Sequence, residues 1–136
     1  MTKVFLDTNV LLDYLLDRPG ADMAECILKF SEEEGYELLL SSLSMSNIAY
    51  ITRKVYSGES LYKELELIRS FVGITLVDEN CVDRAIALRS VDFEDSLQYL
   101  SAKQAGADVI LTSNIKHFPF HDIPVMLPKE FITDKL

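Results

Sequence analysis

Three places in this chain of 136 residues carry side chains whose types could do chemistry together. Asp7 ends a short apolar run, within Phe5-Leu6-Asp7-Thr8-Asn9. Asp92-Phe93-Glu94-Asp95 crowds three acids around one aromatic residue. Asn114 follows Leu111-Thr112-Ser113 much as Asp7 follows its own apolar run. Carboxylates and amide oxygens gathered in one pocket would suit Mg²⁺ or Mn²⁺, hard ions that take oxygen donors. Such an ion lowers the pKa of a bound water and offsets charge on a phosphoryl oxygen. Each place also has an ordinary use. Asp7 or Thr8 can cap a helix, acids in a first turn complement its dipole, and asparagine is common in turns. A site exists only if the fold makes the three converge.

The elements that must position them alternate. Lys3–Leu6, Glu37–Leu40, Ile74–Val77, Asp108–Leu111 and Val125–Leu127 read as strands, being apolar and largely β-branched or leucine-rich. Helical spacing runs over Val10–Leu16, Ala21–Glu34, Ser44–Val55, Ser60–Phe71, Asn80–Leu88 and Glu94–Ala105. Gly35 and Gly106 sit where helix C-termini favour glycine. Residues 114–118 read as a turn or short helix, and a helical turn is expected after Pro128. Strands alternating with helices predict a parallel sheet with helices on both faces. Near-continuous apolar strands agree, because parallel strands are buried on both sides. Ligands of such sheets bind at the carboxyl ends of the strands. Asp7 and Asn114 are placed there, and Asp95, Leu97, Gln98 and Ala102 would share the inner side of their helix.

Composition bounds the rest. The length points to one domain covering residues 1–136, able to bury about two-thirds of its unfolded surface. Hydrophobic residues make up 49% and charged residues 26%, which excludes a disordered chain. No apolar run reaches membrane-spanning length, and the N-terminus lacks the pattern of a signal peptide, so a cytoplasmic location is expected. Cys26 and Cys81 read as small buried thiols. A net charge of −9 argues against a general nucleic-acid binder but allows carboxylates grouped around a cation. His117 and His121, in a loop-like stretch, read as surface residues.

With these residues in view, the chain resembles the PIN-domain family of metal-dependent nucleases, in particular the VapC-type ribonuclease toxins of bacterial toxin–antitoxin pairs. The opening VFLDTNVLLDYLL resembles the family's first motif. SSLSMSNIAYITRK lies where the second falls, and DFEDSLQYLSAKQAGADVILTSNIKHF resembles the third and fourth together. The resemblance implies a three-layer α/β/α sandwich with a parallel sheet of about five strands. It places Asp7 and Asp95 at acidic positions, Asn114 and Asn47 at the other two, and Asn9 and Thr112 as residues that steady the site. Two of the four acidic positions are therefore amides, which offer oxygen but no charge. Asp92 or Glu94 could supply the missing charge. The resemblance further implies Mg²⁺ or Mn²⁺ as cofactor, RNA as substrate, a cognate antitoxin and a homodimer. Lys103 and Lys116 flank the later motifs and are candidates for phosphate contact.

Two other readings remain at this level. A phosphatase with Asp7 as nucleophile would want a second acid two residues on, and that position is Asn9. The two amides also fit a catalytically degraded binding or scaffold protein on the same fold.

Overall fold

In the computed structural model, which describes residues 1–118 and 120–135, strands β1 (Thr2–Leu6), β2 (Tyr36–Ser41), β3 (Gly73–Thr75), β4 (Val109–Leu111) and β5 (Val125–Met126) form one parallel sheet. The strand order is β3-β2-β1-β4-β5. Register pairs Val4 with Leu38 on one side and with Val109 on the other. Successive side chains point to opposite faces, so each strand feeds two cores. Val4, Leu6, Leu38, Leu40, Val109 and Leu111 enter one. Phe5, Leu39 and Ile110 enter the other. Full burial of each such side chain is worth about 1.5–3 kcal/mol. A one-residue slip would exchange the two sets, so the register is firmly specified.

Helices α1 (Thr8–Leu15), α2 (Ala21–Lys29), α3 (Ser42–Ile51), α4 (Gly58–Phe71) and α7 (Pro128–Lys135) cover the first face. Helices α5 (Glu79–Leu88) and α6 (Phe93–Gln104) cover the second. The result is the expected α/β/α sandwich. From central β1 the sheet grows to β2 on one side and to β4 on the other. The direction of winding reverses there, and a crevice opens at the carboxyl ends of β1 and β4. The turns that follow those two strands hold Asp7 and Thr112.

Four local expectations are corrected. The helix expected over Ala21–Glu34 ends at Lys29 and tightens into a 3-10 turn at Phe30–Glu32, before Gly35 turns the chain at φ +90°. The strand expected over Ile74–Val77 is only Gly73–Thr75. It lies at the sheet edge, Thr75 Oγ1 bonds Ser101 Oγ at 2.6 Å, and Leu76 turns out to solvent. The helix expected over Ser44–Val55 starts at Ser42, because Ser41 rather than Ser44 is its cap and accepts the Ser44 N–H at 3.1 Å, and it stops at Ile51, where Thr52 leaves helical geometry. Cys26 is exposed: α2 buries Ala24, Ile27 and Leu28, and Cys26 faces away from them. Cys81 is buried as expected. No helix among the described residues is long and apolar enough to cross a membrane.

Candidate active site

Asp7 occupies the cap position of α1, yet its side chain makes no capping bond. Its Oδ2 instead accepts the Thr112 hydroxyl at 3.1 Å, across the ends of β1 and β4. The main chains join at the same point, where Asp7 N–H donates to Leu111 O at 2.9 Å. Asp7 is 5% exposed. Burial drives its pKa above the ordinary carboxylate value, and the Thr112 hydrogen bond opposes this without cancelling it. Asn9 is exposed beside it and also favours its charged form.

Asp95 arrives from the other layer. Asp92 Oδ1 caps α6 by accepting the Asp95 N–H at 3.1 Å, which fixes the first helical turn at the crevice. The Asp95 side chain turns inward and is buried. Burial, then the charges of Asp92, Asp7 and Glu94, push its pKa up to about 7. Three other carboxylates therefore act on Asp95, and Glu94 also acts on Asp7. Such mutual repulsion in a partly dry crevice is the electrostatic condition that a bound cation relieves.

The amides lie at the rim. Asn47, half-buried on α3, donates from Nδ2 to Glu94 Oε1 at 3.3 Å. Asn114 donates its N–H to Thr112 Oγ1 at 3.1 Å, and its side-chain amide lies 3.2 and 3.1 Å from the two ring nitrogens of His117. Thr112 thus links Asp7 to Asn114 through one hydroxyl. Lys116 is exposed and, with Asp92 and His117, lines a cavity of about 480 Å³ beside the acids.

Lys103 is not brought to this crevice. It lies roughly 12 Å further along α6 at about 1.5 Å per residue. Its Nζ is held by Asp122 Oδ2 at 2.9 Å and lies 3.4 Å from the Tyr99 hydroxyl. His117 behaves differently from its sequence reading. It is exposed as expected, but the 3-10 turn Ile115–His117 puts its Nδ1 3.6 Å from Asp95 Oδ2. The signal was its spacing of one tight turn after Asn114.

Beneath the crevice lies a buried polar network. Gln98 Nε2 donates to Ser44 Oγ at 3.0 Å and to Thr8 Oγ1 at 3.3 Å, and Gln98 Oε1 accepts from Ser41 Oγ at 2.7 Å. Thr8 and Ser44 hydroxyls meet at 2.6 Å. Gln98 therefore ties α6 to α1 and α3 over the ends of β1 and β2. Among the described residues no buried side-chain nitrogen or oxygen lacks a partner. A lone glutamine within Leu97-Gln98-Tyr99-Leu100 was the trace of this network in the sequence.

Known proteins share both the sequence and the shape. Ribonuclease VapC1 of Aquifex aeolicus is 30% identical over 135 residues, covering 95% of this chain and 92% of that protein. The structure of VapBC-1 from nontypeable Haemophilus influenzae superposes with a TM-score of 0.72 at 18% identity, over 94% of this chain and 99% of the other. That of VapBC2 from Rickettsia felis, bound to a DNA fragment from its promoter, gives 0.68 at 20% identity, over 92% and 97%. The PIN-domain family model matches residues 3–116, a stretch that contains every residue of the crevice except His117. The chain belongs to the PIN-domain family.

Proposed function

We propose that the protein is an endoribonuclease that hydrolyses RNA phosphodiester bonds with the help of Mg²⁺ or Mn²⁺. The observation that carries this reading is the convergence of Asp7 and Asp95, from two layers, on one crevice where burial and neighbouring carboxylates raise both pKa values. The donor set fits a divalent cation: carboxylates of Asp7, Asp95 and Asp92, with amides at Asn47 and Asn114. Bound there, the cation would supply the charge that activates a water for in-line attack and offsets the growing phosphoryl charge.

The chain's own residues do the rest. Asp7 and Asp95 hold the charge of the site. Thr112 fixes the Asp7 carboxylate, and Asn9 favours its ionised form. Asn47 holds Glu94 at the rim, so Glu94 and Asp92 supply charge that the two amides lack. Lys116 contacts the RNA backbone from the adjoining cavity. The alternative of a degraded scaffold has less support, because a scaffold gains nothing from burying Asp7 and Asp95 in one crevice.

The relatives carry the reading to the level of a toxin: one is a ribonuclease, and a toxin–antitoxin complex from Klebsiella pneumoniae superposes with a TM-score of 0.64 at 22% identity. We extend it to a cytoplasmic toxin that forms a homodimer and is held by a cognate antitoxin. Tyr50, Ile51, Val55, Tyr62 and Leu67, on or between α3 and α4, expose apolar surface that a protein partner would cover. The test is cleavage of RNA by purified protein with Mg²⁺, with Mn²⁺ and with chelator, for the wild type, Asp7→Asn and Asp95→Asn. Metal-dependent cleavage that both substitutions reduce by at least about a hundredfold, with circular dichroism unchanged, is expected. Near-normal cleavage in either variant would overturn the assignment.

A further inference from the structure

The acids of the crevice do not stop at Asp95. Asp92, Asp95 and His117 each bring one ligand atom within 4.8 Å of the other two. Donors about 2.0–2.3 Å from a common ion sit roughly 3 Å apart when adjacent and about 4.5 Å apart when opposite. The three are thus spaced for one ion after small side-chain rotations. They come from two separate elements, the start of α6 and the turn after β4.

Each donor is already aimed. Asp92 Oδ1 is committed to the Asp95 N–H, which fixes the carboxylate and leaves Oδ2 for a ligand. Asp95 Oδ2 lies 3.6 Å from His117 Nδ1. Asn114 stands against the imidazole edge through its amide, and rotating that amide by 180° exchanges its nitrogen for its oxygen, so it can present an acceptor to the same place. The adjoining cavity of about 480 Å³ has room for coordinated waters and a phosphate.

We infer that His117 is a metal ligand, making with Asp92 and Asp95 a mixed nitrogen–oxygen site that selects divalent first-row transition ions such as Mn²⁺ over Mg²⁺. The chemistry is that of the donors. Mg²⁺ demands oxygen ligands and keeps its waters, whereas imidazole suits first-row transition ions; Mn²⁺ shares the preference of Mg²⁺ for oxygen but accepts a nitrogen donor beside carboxylates more readily. The imidazole adds a donor to a site whose charge comes from Asp92 and Asp95. The inference rests on the metal-site reading above and goes beyond it in naming the ligand and the ion class.

The experiment is calorimetric titration of the metal-free full chain at pH 8 with Mg²⁺ and separately with Mn²⁺, for the wild type, His117→Gln and His121→Gln. A second readout is broadening of the two histidine ring signals in nitrogen-edited NMR by substoichiometric Mn²⁺. The wild type is expected to prefer Mn²⁺ by tenfold or more. His117→Gln should lose on the order of tenfold in Mn²⁺ affinity while Mg²⁺ affinity stays within about twofold. His121→Gln should behave as the wild type, and the His117 signals should broaden first. His117→Asp, which replaces nitrogen by oxygen, should shift preference back toward Mg²⁺, and it serves as the second variant should His117→Gln fold poorly. An unchanged Mn²⁺ to Mg²⁺ ratio in both His117 variants, or equal broadening of both histidines, overturns the inference. If the wild type binds and cleaves with metal but the His117 variants keep its ratio, only this inference falls. If the wild type binds neither ion and cleaves no RNA, the nuclease reading falls with it.

Discussion

The Thr112 hydroxyl donates to Asp7 Oδ2 at 3.1 Å while accepting the Asn114 N–H at 3.1 Å. One side chain on β4's exit thereby sets both the acid of β1 and the amide of its own turn. Thr112→Val keeps the shape and removes both bonds. Asp7 then loses the hydrogen bond that favours its charged form, and its pKa rises further. The expected cost is about 1–3 kcal/mol of stability and on the order of tenfold in metal affinity. Thr112→Ser keeps the hydroxyl and should stay within about threefold of the wild type. Melting curves and Mn²⁺ titration of the two variants side by side check this, and equal losses in both would deny the hydroxyl its role.

The elevated pKa of Asp95 makes stability depend on pH with a definite sign. In the unfolded chain Asp95 titrates near 3.8, in the folded protein at about 7. Below pH 3.8 it is protonated in both states and its contribution is complete. As pH rises to 7 the unfolded chain releases the proton first, so stability falls across that window and levels off above it. Asp7 acts in the same direction. Asp122 acts oppositely, because Tyr99 and Lys103 hold it down at about 2, but its window lies below 3.8. The full shift corresponds to about 4 kcal/mol, and solvent screening at the crevice mouth leaves about 2 kcal/mol. Without metal, Asp95→Asn should therefore be the more stable protein at pH 8 and lose its advantage by pH 4. Added Mn²⁺ should stabilise the wild type at pH 8 and not the variant. Melting temperatures over pH 4–8, with and without Mn²⁺, measure both effects.

Much of this arrangement was legible because it follows from local chemistry. Val4-Phe5-Leu6 and Val109-Ile110-Leu111 announce doubly buried strands, and doubly buried strands force Asp7 and Thr112 to the same sheet edge. What local patterns could not specify was tertiary. Cys26 looked like a core thiol until the packing of Ala24, Ile27 and Leu28 fixed which face of α2 is buried. Lys103 looked like a phosphate contact because its partner, Asp122, is distant in sequence. His117 looked like a loop residue because Asp95, beside it, belongs to another element. Asn47 was placed by resemblance alone, and Glu94 is its partner in the fold.

That partner changes what Asn47→Glu should do. The substitution removes the 3.3 Å bond from Asn47 Nδ2 and sets a second carboxylate against Glu94. Without metal the protein should lose about 1 kcal/mol, or roughly 3 °C in melting temperature. With Mn²⁺ the added charge should tighten binding on the order of tenfold, since attraction to a divalent ion exceeds repulsion from a screened neighbour. Combining it with Glu94→Gln should remove the metal-free penalty. Calorimetry and paired melting curves read both signs. Unchanged Mn²⁺ affinity would place Asn47 outside the field of the ion.

The two lysines should now separate. Lys116 is exposed beside Asp92 and His117, whereas Lys103 is occupied by Asp122. Lys116→Ala should weaken RNA binding across sequences and lower the slope of log affinity against log salt by about one. Lys103→Ala should leave that slope alone. The measurement is binding of a short RNA to the Asp7→Asn protein, which holds substrate uncut, at several salt concentrations. A slope changed by Lys103→Ala would mean that the RNA path runs down α6 instead.

Gln98 offers the sharpest test of how the two layers are locked. It is fully buried and is the one residue of α6 that reaches Thr8, Ser41 and Ser44 among the described residues. Gln98→Leu matches its size and removes every one of those bonds. Ser41 still caps α3 by accepting the Ser44 N–H, and Thr8 still meets Ser44, so these hydroxyls keep part of their satisfaction. The loss should be about 2–4 kcal/mol, from stranded polar groups rather than from a cavity. Gln98→Glu keeps the acceptor but buries a charge in a network of hydroxyls, so it should be worse at pH 8 and recover toward pH 5 as the acid takes a proton. Simultaneous Ser41→Ala and Ser44→Ala should make Gln98→Leu far less costly, because the groups it strands are gone. A double-mutant cycle by urea unfolding measures the coupling. If the losses simply add, Gln98 packs against these residues without binding them together, and the approach of Asp95 to Asp7 is set by the apolar cores alone.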